Sequence, residues 1–266
     1  MANDRTVPGD RLAHPASELA LKNAGTGPAA KRPTRILDDL RVGTTKSLNA
    51  ALIERLRSDL ISGEIPPDTK LKIPSICERY EVSPGVAREA LSRLVPDGLI
   101  DFTDQRGFRT PSLTVEGIRD ITRVRLIVER EALIDAMQNG TYEWEAQILA
   151  AQHRMQSFEQ SAEGRSFPLS NEWAFYHKEF HRALIAACTS SWLIRMHNML
   201  YDQTERYRFI AAKGGNRATG HSRNIGGEHS DIANAVIARD QKKALELIEC
   251  HLSLTSDRAL AAAGLK

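Results

Sequence analysis

The stretch LKIPSICERYEVSPGVAREALSRLVPDGLI, residues 71–100, decides the fold of the first part of the chain. Its SICERY segment (75–80) predicts a short helix, and EVS then makes a tight turn. Ser83 is placed to cap a further helix, with Pro84 at the first helical position, where a missing N–H costs no hydrogen bond. That helix has an apolar stripe, which predicts burial: Val86, Ala90, Leu91 and Leu94. Two helices joined by a tight turn are typical of a helix-turn-helix.

The flanking sequence extends these two helices to a winged helix-turn-helix. Upstream, leucines recur every four residues from Leu48 to Leu60, which predicts a first helix. Downstream, LIDFTDQRGFRTPSL (99–113) predicts two short strands around a turn at Arg106-Gly107. The order of helix, helix, tight turn, helix and hairpin therefore predicts a DNA-binding domain over residues 46–113.

The predicted DNA contacts lie at the open end of the third helix and at the tip of the wing, where Arg109 is also expected. Small residues let the helix N-terminus approach a phosphate closely, and Arg88 can reach a guanine edge or a phosphate. The alternative is an ordinary three-helix subdomain with solvated arginines. Charge does not decide between them, since residues 47–113 carry 9 Lys+Arg and 10 Asp+Glu. The predicted contacts are Lys72, Ser83, Gly85, Val86, Arg88, Arg93, Arg106, Gly107 and Arg109.

A different pattern begins at Thr114 and predicts a mainly α protein, with about six helices and no convincing strand over residues 114–266. The predicted helices span approximately 114–138, 143–163, 169–188, 191–212, 222–239 and 241–263. Residues 1–45 hold four glycines, four prolines and few large apolar side chains, so we expect an unstructured tail there. The predicted domains are the tail at 1–45, the winged domain at 46–113 and an all-helical domain at 114–266.

Composition excludes several classes of protein. The 266 residues carry 36 Lys+Arg against 34 Asp+Glu, a formal charge of +2, which excludes nucleic-acid binding through bulk positive charge. The longest uncharged run, 183–194, is shorter than the roughly 20 residues that span a bilayer. No export signal is expected from the first residues, and three scattered cysteines are typical of a reducing compartment. We therefore expect a cytoplasmic protein with no membrane partner.

Four histidines in the second half of the chain share inward-facing positions. His177 and His181 are one turn apart on the same helical face, and His229 and His251 lie on the apolar stripes of the last two helices. A single such histidine is most often a satisfied core residue, but four converging imidazoles leave ring nitrogens without partners in a poorly hydrated core. A divalent transition metal removes that cost, since imidazole binds zinc, nickel, copper and iron. Two further histidines lie off these stripes or in loops and are not predicted ligands: His197 and His221.

Both halves of the chain resemble the GntR-type bacterial transcription regulators. Residues 71–100 with RGFRT (106–110) resemble their N-terminal domain, with Ala87 inserted in the usual valine-arginine step and Pro84 where many relatives carry a basic residue. VRLIVEREAL (124–133), FHRAL with its following cysteine, and EHSDIANAVIARDQKKALELIECHL look like the FCD (FadR-like) class of that family. The resemblance implies a winged helix-turn-helix followed by an effector-binding and dimerisation bundle of six to seven helices.

The same resemblance implies a metal site and an effector. Many FCD domains bind a metal through an aspartate, a histidine four residues later and two more histidines. His181, His229 and His251 match three of these places, and His177 stands in place of the aspartate, which keeps a ligand but removes a negative charge. NEWAFYHKEFHRALIAAC (171–188) and ERYRFI (205–210) resemble a branch that represses glutarate and related dicarboxylate catabolism. The implied effector-binding residues are Arg125, Arg206, Tyr207 and Arg208.

We therefore expect a homodimeric repressor whose paired heads read a pseudo-palindrome in double-stranded DNA. Its operator affinity is expected to change when a small carboxylate or dicarboxylate completes the coordination of a metal, with zinc as the first candidate and nickel as the second. One alternative is a metal sensor, in which the ion itself is the signal. Another is a metal-dependent hydrolase. The sequence has no HExxH, P-loop or GxSxG pattern, and Glu228 is predicted to point away from the histidines, so no enzyme activity and no catalytic residue are expected.

Overall fold

The computed structural model describes residues 48–161, 170–213 and 223–265, which belong to one compact unit. The first part, here called the head (residues 48–113), contains α1 (Leu48–Ile61), β1 (Lys70–Leu71), α2 (Ile73–Tyr80), α3 (Pro84–Leu94), β2 (Asp101–Thr103) and β3 (Gly107–Arg109). The second part, here called the helical domain (residues 114–265), contains α4 (Val115–Asn139), α5 (Tyr142–Gln160), α6 (Asn171–Leu184), α7 (Ser191–Lys213), α8 (Ile225–Ile237) and α9 (Gln241–Ala262). The mainly α fold class is confirmed. The predicted tail at 1–45 and His221 lie outside the described residues.

An apolar core holds the three helices of the head together. The α1 leucines are fully buried at the predicted spacing: Leu52, Leu56 and Leu60. The Ser83 hydroxyl caps α3 by accepting a hydrogen bond from the Val86 N–H at 3.5 Å. The first fully buried residue of α3 is Ala87, and Val86 is only half-buried at the edge of the core. Residues 91 and 94 lie four and seven positions after residue 87, which is the spacing of one face of a helix. A stripe that starts at residue 86 follows this spacing less closely.

The wing is a three-stranded antiparallel sheet in the order β1-β3-β2. β3 pairs with β2, as the hairpin prediction requires, and also with β1, where Lys70 lies opposite Arg109. Arg109 therefore lies at the end of β3 that is remote from the turn, and it donates a hydrogen bond to the Asp68 carbonyl at 2.6 Å. The prediction that Arg109 sits at the wing tip was wrong, because the turn lies at residues 104–106 and the hairpin register places Arg109 opposite Asp101, at the open end of the wing.

The helical domain is organised around α7, which packs against α4 and α9. α5 packs against α6 and α8, and α8 packs against α9. Thr114 caps α4, since its hydroxyl accepts a hydrogen bond from the Gly117 N–H at 3.0 Å. In the parts of the chain that the structure describes, no helix has both the length and the apolar character needed to span a bilayer.

One helix boundary differs clearly from its prediction, because α6 ends at Leu184 rather than near 188. The Trp144 indole N–H donates to the Ala183 carbonyl at 2.8 Å, and the Ala186 N–H donates to the same oxygen at 3.2 Å. The Cys188 N–H likewise bonds three residues back, to the Ile185 carbonyl at 2.9 Å. Bonds to the residue three positions back tighten the chain into a turn and end the helix.

Candidate metal centre and DNA-binding surface

Three helices bring the four predicted imidazoles into one buried cluster. α6 carries His177 and His181, α8 carries His229 and α9 carries His251, and none is more than 4% exposed. One ring nitrogen of each residue lies within 4.8 Å of the others. The Nε2 atoms of His177 and His181 are 3.2 Å apart. The four residues that the sequence singled out therefore share one small volume inside the helical domain.

The hydrogen bonds within the described residues use only some of the ring nitrogens of the cluster. His177 Nδ1 shares a hydrogen bond of 2.5 Å with the Tyr201 hydroxyl, and His251 Nδ1 lies 2.9 Å from Glu228 Oε2. Among the described residues, neither ring nitrogen of His229 has a partner, nor does Nδ1 of His181. Buried polar atoms without partners are costly, so this arrangement of nitrogen donors suits a cation. Outer partners such as Tyr201 and Glu228 can orient ligating imidazoles and fix their tautomers.

Burial also sets the protonation state of the cluster. It lowers the pKa of His177, His181 and His229 well below the ordinary value for histidine, and their mutual repulsion when charged lowers it further. Burial lowers the pKa of His251 as well, although the Glu228 carboxylate opposes this effect. The imidazoles are therefore neutral near pH 7, which is the form that binds metals.

Glu228 contradicts one prediction, because its carboxylate lies beside the histidines. Burial raises its pKa, but hydrogen bonds from His251 and Arg223 outweigh burial and hold the pKa at about 2. Arg223 donates to both carboxylate oxygens, at 2.6 and 2.5 Å, and to the His251 carbonyl at 3.0 Å. The prediction that Glu228 points elsewhere was wrong because α8 packs on α9, so a residue at the start of α8 reaches the His251 face of its neighbour.

A second buried polar group lies beside the imidazoles, on α4 and α7. Arg125 Nε donates to Glu129 Oε1 at 2.6 Å, and His197 Nδ1 lies 3.4 Å from the same oxygen. Burial raises the pKa of Glu129, but Arg125 and His197 outweigh burial and hold that pKa well below its usual range. His197 was not a predicted ligand, and Tyr201 and Glu205 were not predicted to belong to the site. Their spacing of four residues was the available signal, since it places all three on one face of α7.

The four predicted effector residues fall into two groups. Arg125 is buried with its Cζ 4.8 Å from the Tyr201 ring centroid, and its Nη2 has no partner among the described residues. Arg208 donates to Glu205 at 2.5 Å, and its Cζ lies 4.3 Å from the ring centroid of Trp173, which stacks on His177. These two arginines therefore flank the imidazole cluster.

Arg206 and Tyr207 are not brought together with the imidazoles. Arg206 donates to the Pro111 carbonyl at 2.6 Å, and Tyr207 packs with Ile118 and Leu260. Consecutive residues on a helix diverge by roughly 100°. A helix that points Glu205 and Arg208 at the imidazoles therefore points the two residues between them towards other neighbours.

Most of the predicted DNA-contacting residues are exposed on the head. Ser83, Gly85 and Arg88 are exposed on the first turns of α3, and Val86 is half-buried beneath them. Arg93 pairs with Glu89 at 3.6 Å on the same helix. Three further predicted residues are exposed at the start of α2, in the wing turn and on β3: Lys72, Arg106 and Arg109. Gly107 has a φ of 75°, a left-handed conformation that favours glycine, and it begins β3 directly after the turn.

Two protein-family models match the chain, one within the head and one within the helical domain. Residues 48–109 match the model for bacterial regulatory proteins of the gntR family, and residues 120–254 match the FCD domain. The HTH-type transcriptional regulator BphR of Paraburkholderia xenovorans is 36% identical over 211 residues, which cover 79% of this chain and 84% of BphR. The HTH-type transcriptional repressor GlaR of Escherichia coli is 34% identical over 197 residues, which cover 74% of this chain and 89% of GlaR.

Solved structures share the fold at lower identity. E. coli McbR/YncC superimposes with a TM-score of 0.67 at 18% identity, covering 82% of this chain and 99% of that chain. A GntR regulator from Rhodococcus sp. RHA1 gives a TM-score of 0.62 at 19% identity, covering 81% and 99%. The matched family and relatives are transcriptional regulators rather than enzymes; a gntR-type head implies operator DNA, and an FCD domain implies a small-molecule effector. The chain belongs to the GntR family of bacterial transcription regulators, in the class that joins a winged helix-turn-helix to an FCD domain.

Proposed function

We propose that this chain is a homodimeric repressor whose operator affinity is controlled by a small carboxylate bound at a metal ion in the helical domain. The observation that carries the proposal is the cluster of His177, His181, His229 and His251, with one nitrogen of each within 4.8 Å of the others. In this proposal the protein acts in the cytoplasm, where bacterial operators lie, with a tail at residues 1–45, a DNA-binding domain at 46–113 and an effector domain at 114–266.

The donor set favours zinc, with nickel as the second candidate. Four neutral imidazoles are borderline-soft nitrogen ligands, which suit both ions. Because His177 stands where many relatives carry an aspartate, the ligands bring no negative charge and the bound ion keeps its full double charge. The ion then acts as a Lewis acid that attracts an anionic oxygen ligand, which favours a carboxylate as the molecule that completes the site.

Arg125 and Arg208 favour an effector with two carboxylates. The second carboxylate of a dicarboxylate can accept hydrogen bonds from Arg125, whose Nη2 is buried without a partner among the described residues. Arg208 adds positive charge near His177 but is already paired with Glu205, so it contributes less. The similarity of residues 171–188 and 205–210 to dicarboxylate-responsive repressors supports the same class of ligand, with glutarate as the first compound to test.

The head supplies operator recognition. α3 enters the major groove with Arg88 at its exposed face, while the wing residues Arg106 and Gly107 follow the DNA backbone. Two copies related by a twofold axis place two heads on a pseudo-palindromic site. An effector that prefers one arrangement of the helical domain then changes operator affinity by the same free energy, as thermodynamic linkage requires.

The test combines metal analysis with operator binding. Purified protein is analysed for zinc and nickel, and its affinity for DNA upstream of its own gene is measured by fluorescence anisotropy at fixed salt, with and without glutarate. We expect one metal ion per chain and a fall in affinity with glutarate but not with butyrate, which has a single carboxylate. His181→Ala should lose both the metal and the response, whereas His153→Ala, an exposed histidine on α5, should keep both.

Two results would contradict parts of this proposal. If no dicarboxylate changes either the melting temperature or the operator affinity, the organic-acid effector is wrong. If loading and removing the ion alone changes the operator affinity while carboxylates do nothing, the protein is a metal sensor. The ring nitrogens of His229, which have no partner among the described residues, support testing this second function, because an ion would give one of them a ligand bond.

A further inference from the structure

A single buried carboxylate joins the helical domain to the head. Asp202 lies on α7 and is 5% exposed. Its Oδ1 accepts a hydrogen bond from Lys178 Nζ of α6 at 2.5 Å. Its Oδ2 accepts one from Arg57 Nη1 of α1 at 2.9 Å. One side chain is therefore shared between a cation of the helical domain and a cation of the head.

The helical-domain side of this link begins at the imidazole cluster. Lys178 directly follows His177 in sequence, and Asp202 directly follows Tyr201. The Tyr201 hydroxyl is 2.5 Å from His177 Nδ1, and Lys178 Nζ lies 5.7 Å from the Tyr201 ring centroid. His177 on α6 therefore contacts Tyr201 on α7, and the next residue on each helix forms the ion pair between Lys178 and Asp202. A shift between α6 and α7 at His177 must alter the geometry at Asp202.

The head side of the link ends at the helix that enters DNA. Arg57 also forms an ion pair with Asp97, three residues after the end of α3. Gln203, the neighbour of Asp202, donates from Nε2 to the Asp97 carbonyl at 2.7 Å. α1 packs along α3 in the core of the head. α7 therefore contacts both α1, which packs against the recognition helix α3, and the segment that follows α3.

We infer that Asp202 is the positioning residue that couples occupancy of the imidazole site to the placement of α3. The inference rests on the proposed function for the ligand of that site, and it adds the route by which the head responds. The structure has both contacts of Asp202 made, and the proposed coupling requires a second arrangement in which one of them is broken. Elements of this kind convert a small local shift into a change between states.

The test uses the full chain, zinc as the probe and a chelator to remove it. Asp202→Asn keeps the shape of the side chain and removes its charge. Lys178→Gln removes only the helical-domain cation and is a second variant at a half-buried position that the fold tolerates more easily. Glu179→Gln is the matched control, because it changes a neighbouring charge on α6 that pairs with Arg182 at the surface. Each protein is assayed for bound zinc, operator affinity and hydrogen exchange in α1 and residues 95–98.

We expect wild type and Glu179→Gln to change operator affinity by about tenfold when zinc is removed. Asp202→Asn and Lys178→Gln should bind the same amount of zinc but change affinity by less than about twofold. Hydrogen exchange in α1 should respond to zinc in wild type and should not respond in these two variants. Asp202→Glu should restore part of the response, which a purely structural role for the residue does not require.

The possible results distinguish a failure of the proposed function from a failure of the coupling role of Asp202. Wild type that retains no metal contradicts the proposed function, and it also overturns the coupling role, since Asp202 then has nothing to transmit. Wild type that retains zinc and responds, with Asp202→Asn responding to the same extent, overturns the coupling role alone. The same conclusion follows if zinc leaves hydrogen exchange in α1 of wild type unchanged.

Discussion

Replacing His229 by leucine should raise the stability of the metal-free protein. The side chain is fully buried, and both of its ring nitrogens lack partners among the described residues. A buried polar atom without a partner costs about 1–3 kcal/mol, whereas an apolar group in its place avoids that cost. A volume-conserving swap in a packed core costs less than about 1.5 kcal/mol. We therefore expect metal-free His229→Leu to be more stable than wild type by about 2 kcal/mol.

Saturating metal should reverse this order. An ion that binds only the folded protein stabilises it by about 2.7 kcal/mol when its free concentration is 100 times its dissociation constant. Wild type has four imidazoles for the ion, but the variant has three and binds it more weakly. The variant should therefore gain little at the same zinc concentration, and wild type becomes the more stable of the two.

The measurement is urea unfolding of both proteins with a chelator and with saturating zinc. His153→Leu is the control, since His153 is exposed on α5 and lies 3.4 Å from Ser157, outside the cluster. His153→Leu should change neither the stability of the metal-free protein nor the stabilisation by zinc. Metal-free His229→Leu that is no more stable than wild type, or zinc that stabilises both proteins equally, would contradict this prediction.

The imidazole cluster, the recognition helix and the contact at Gly140 can each be tested by one further measurement. Because burial lowers the pKa of the four imidazoles in the fold, the unfolded chain takes up protons first as pH falls below about 6.5. Metal-free protein should therefore keep its full stability above that pH, and its unfolding midpoint should come at a lower urea concentration at pH 5.5 than at pH 7.5. Equal midpoints at the two pH values would contradict this. Arg88→Ala should weaken operator binding by about 1–3 kcal/mol in anisotropy titrations, whereas Arg182→Ala, exposed on α6, should not. A Cβ at Gly140 would lie 2.0 Å from the Trp144 ring, so Gly140→Ala should cost about 1–3 kcal/mol; an unchanged melting temperature would show that the contact relaxes freely.

The sequence predicts the helices well where one element contains the whole signal. The Ser83 cap and the α1 leucines were visible because a cap and an apolar stripe are local patterns. The spacing of His177 and His181 likewise fixed their common face. In each case the neighbours that decide the structure lie within one or two turns along the chain.

The sequence could not predict which faces of the helices and strands pack against each other. Glu228 contacts His251, and Arg109 pairs with β1, only because elements distant in sequence pack together. His197 is 1% exposed although it does not share an apolar stripe with the four predicted ligands, since α7 packs against α4 and brings His197 beside the buried Glu129. Helical periodicity gives the direction of a side chain relative to its own helix, but the partner helix is set by tertiary packing.

Trp173 gives this protein a built-in optical reporter. Its indole is 1% exposed and stacks on the His177 ring with centroids 4.4 Å apart and an angle of 19° between the planes. The chain has three tryptophans, and the other two lie in different settings, with Trp144 buried near α6 and Trp192 66% exposed. Nickel or copper at His177 should quench the blue-shifted emission of Trp173 and leave the red-shifted emission of Trp192 bright. Ion loading can thus be followed by intrinsic fluorescence on unlabelled protein.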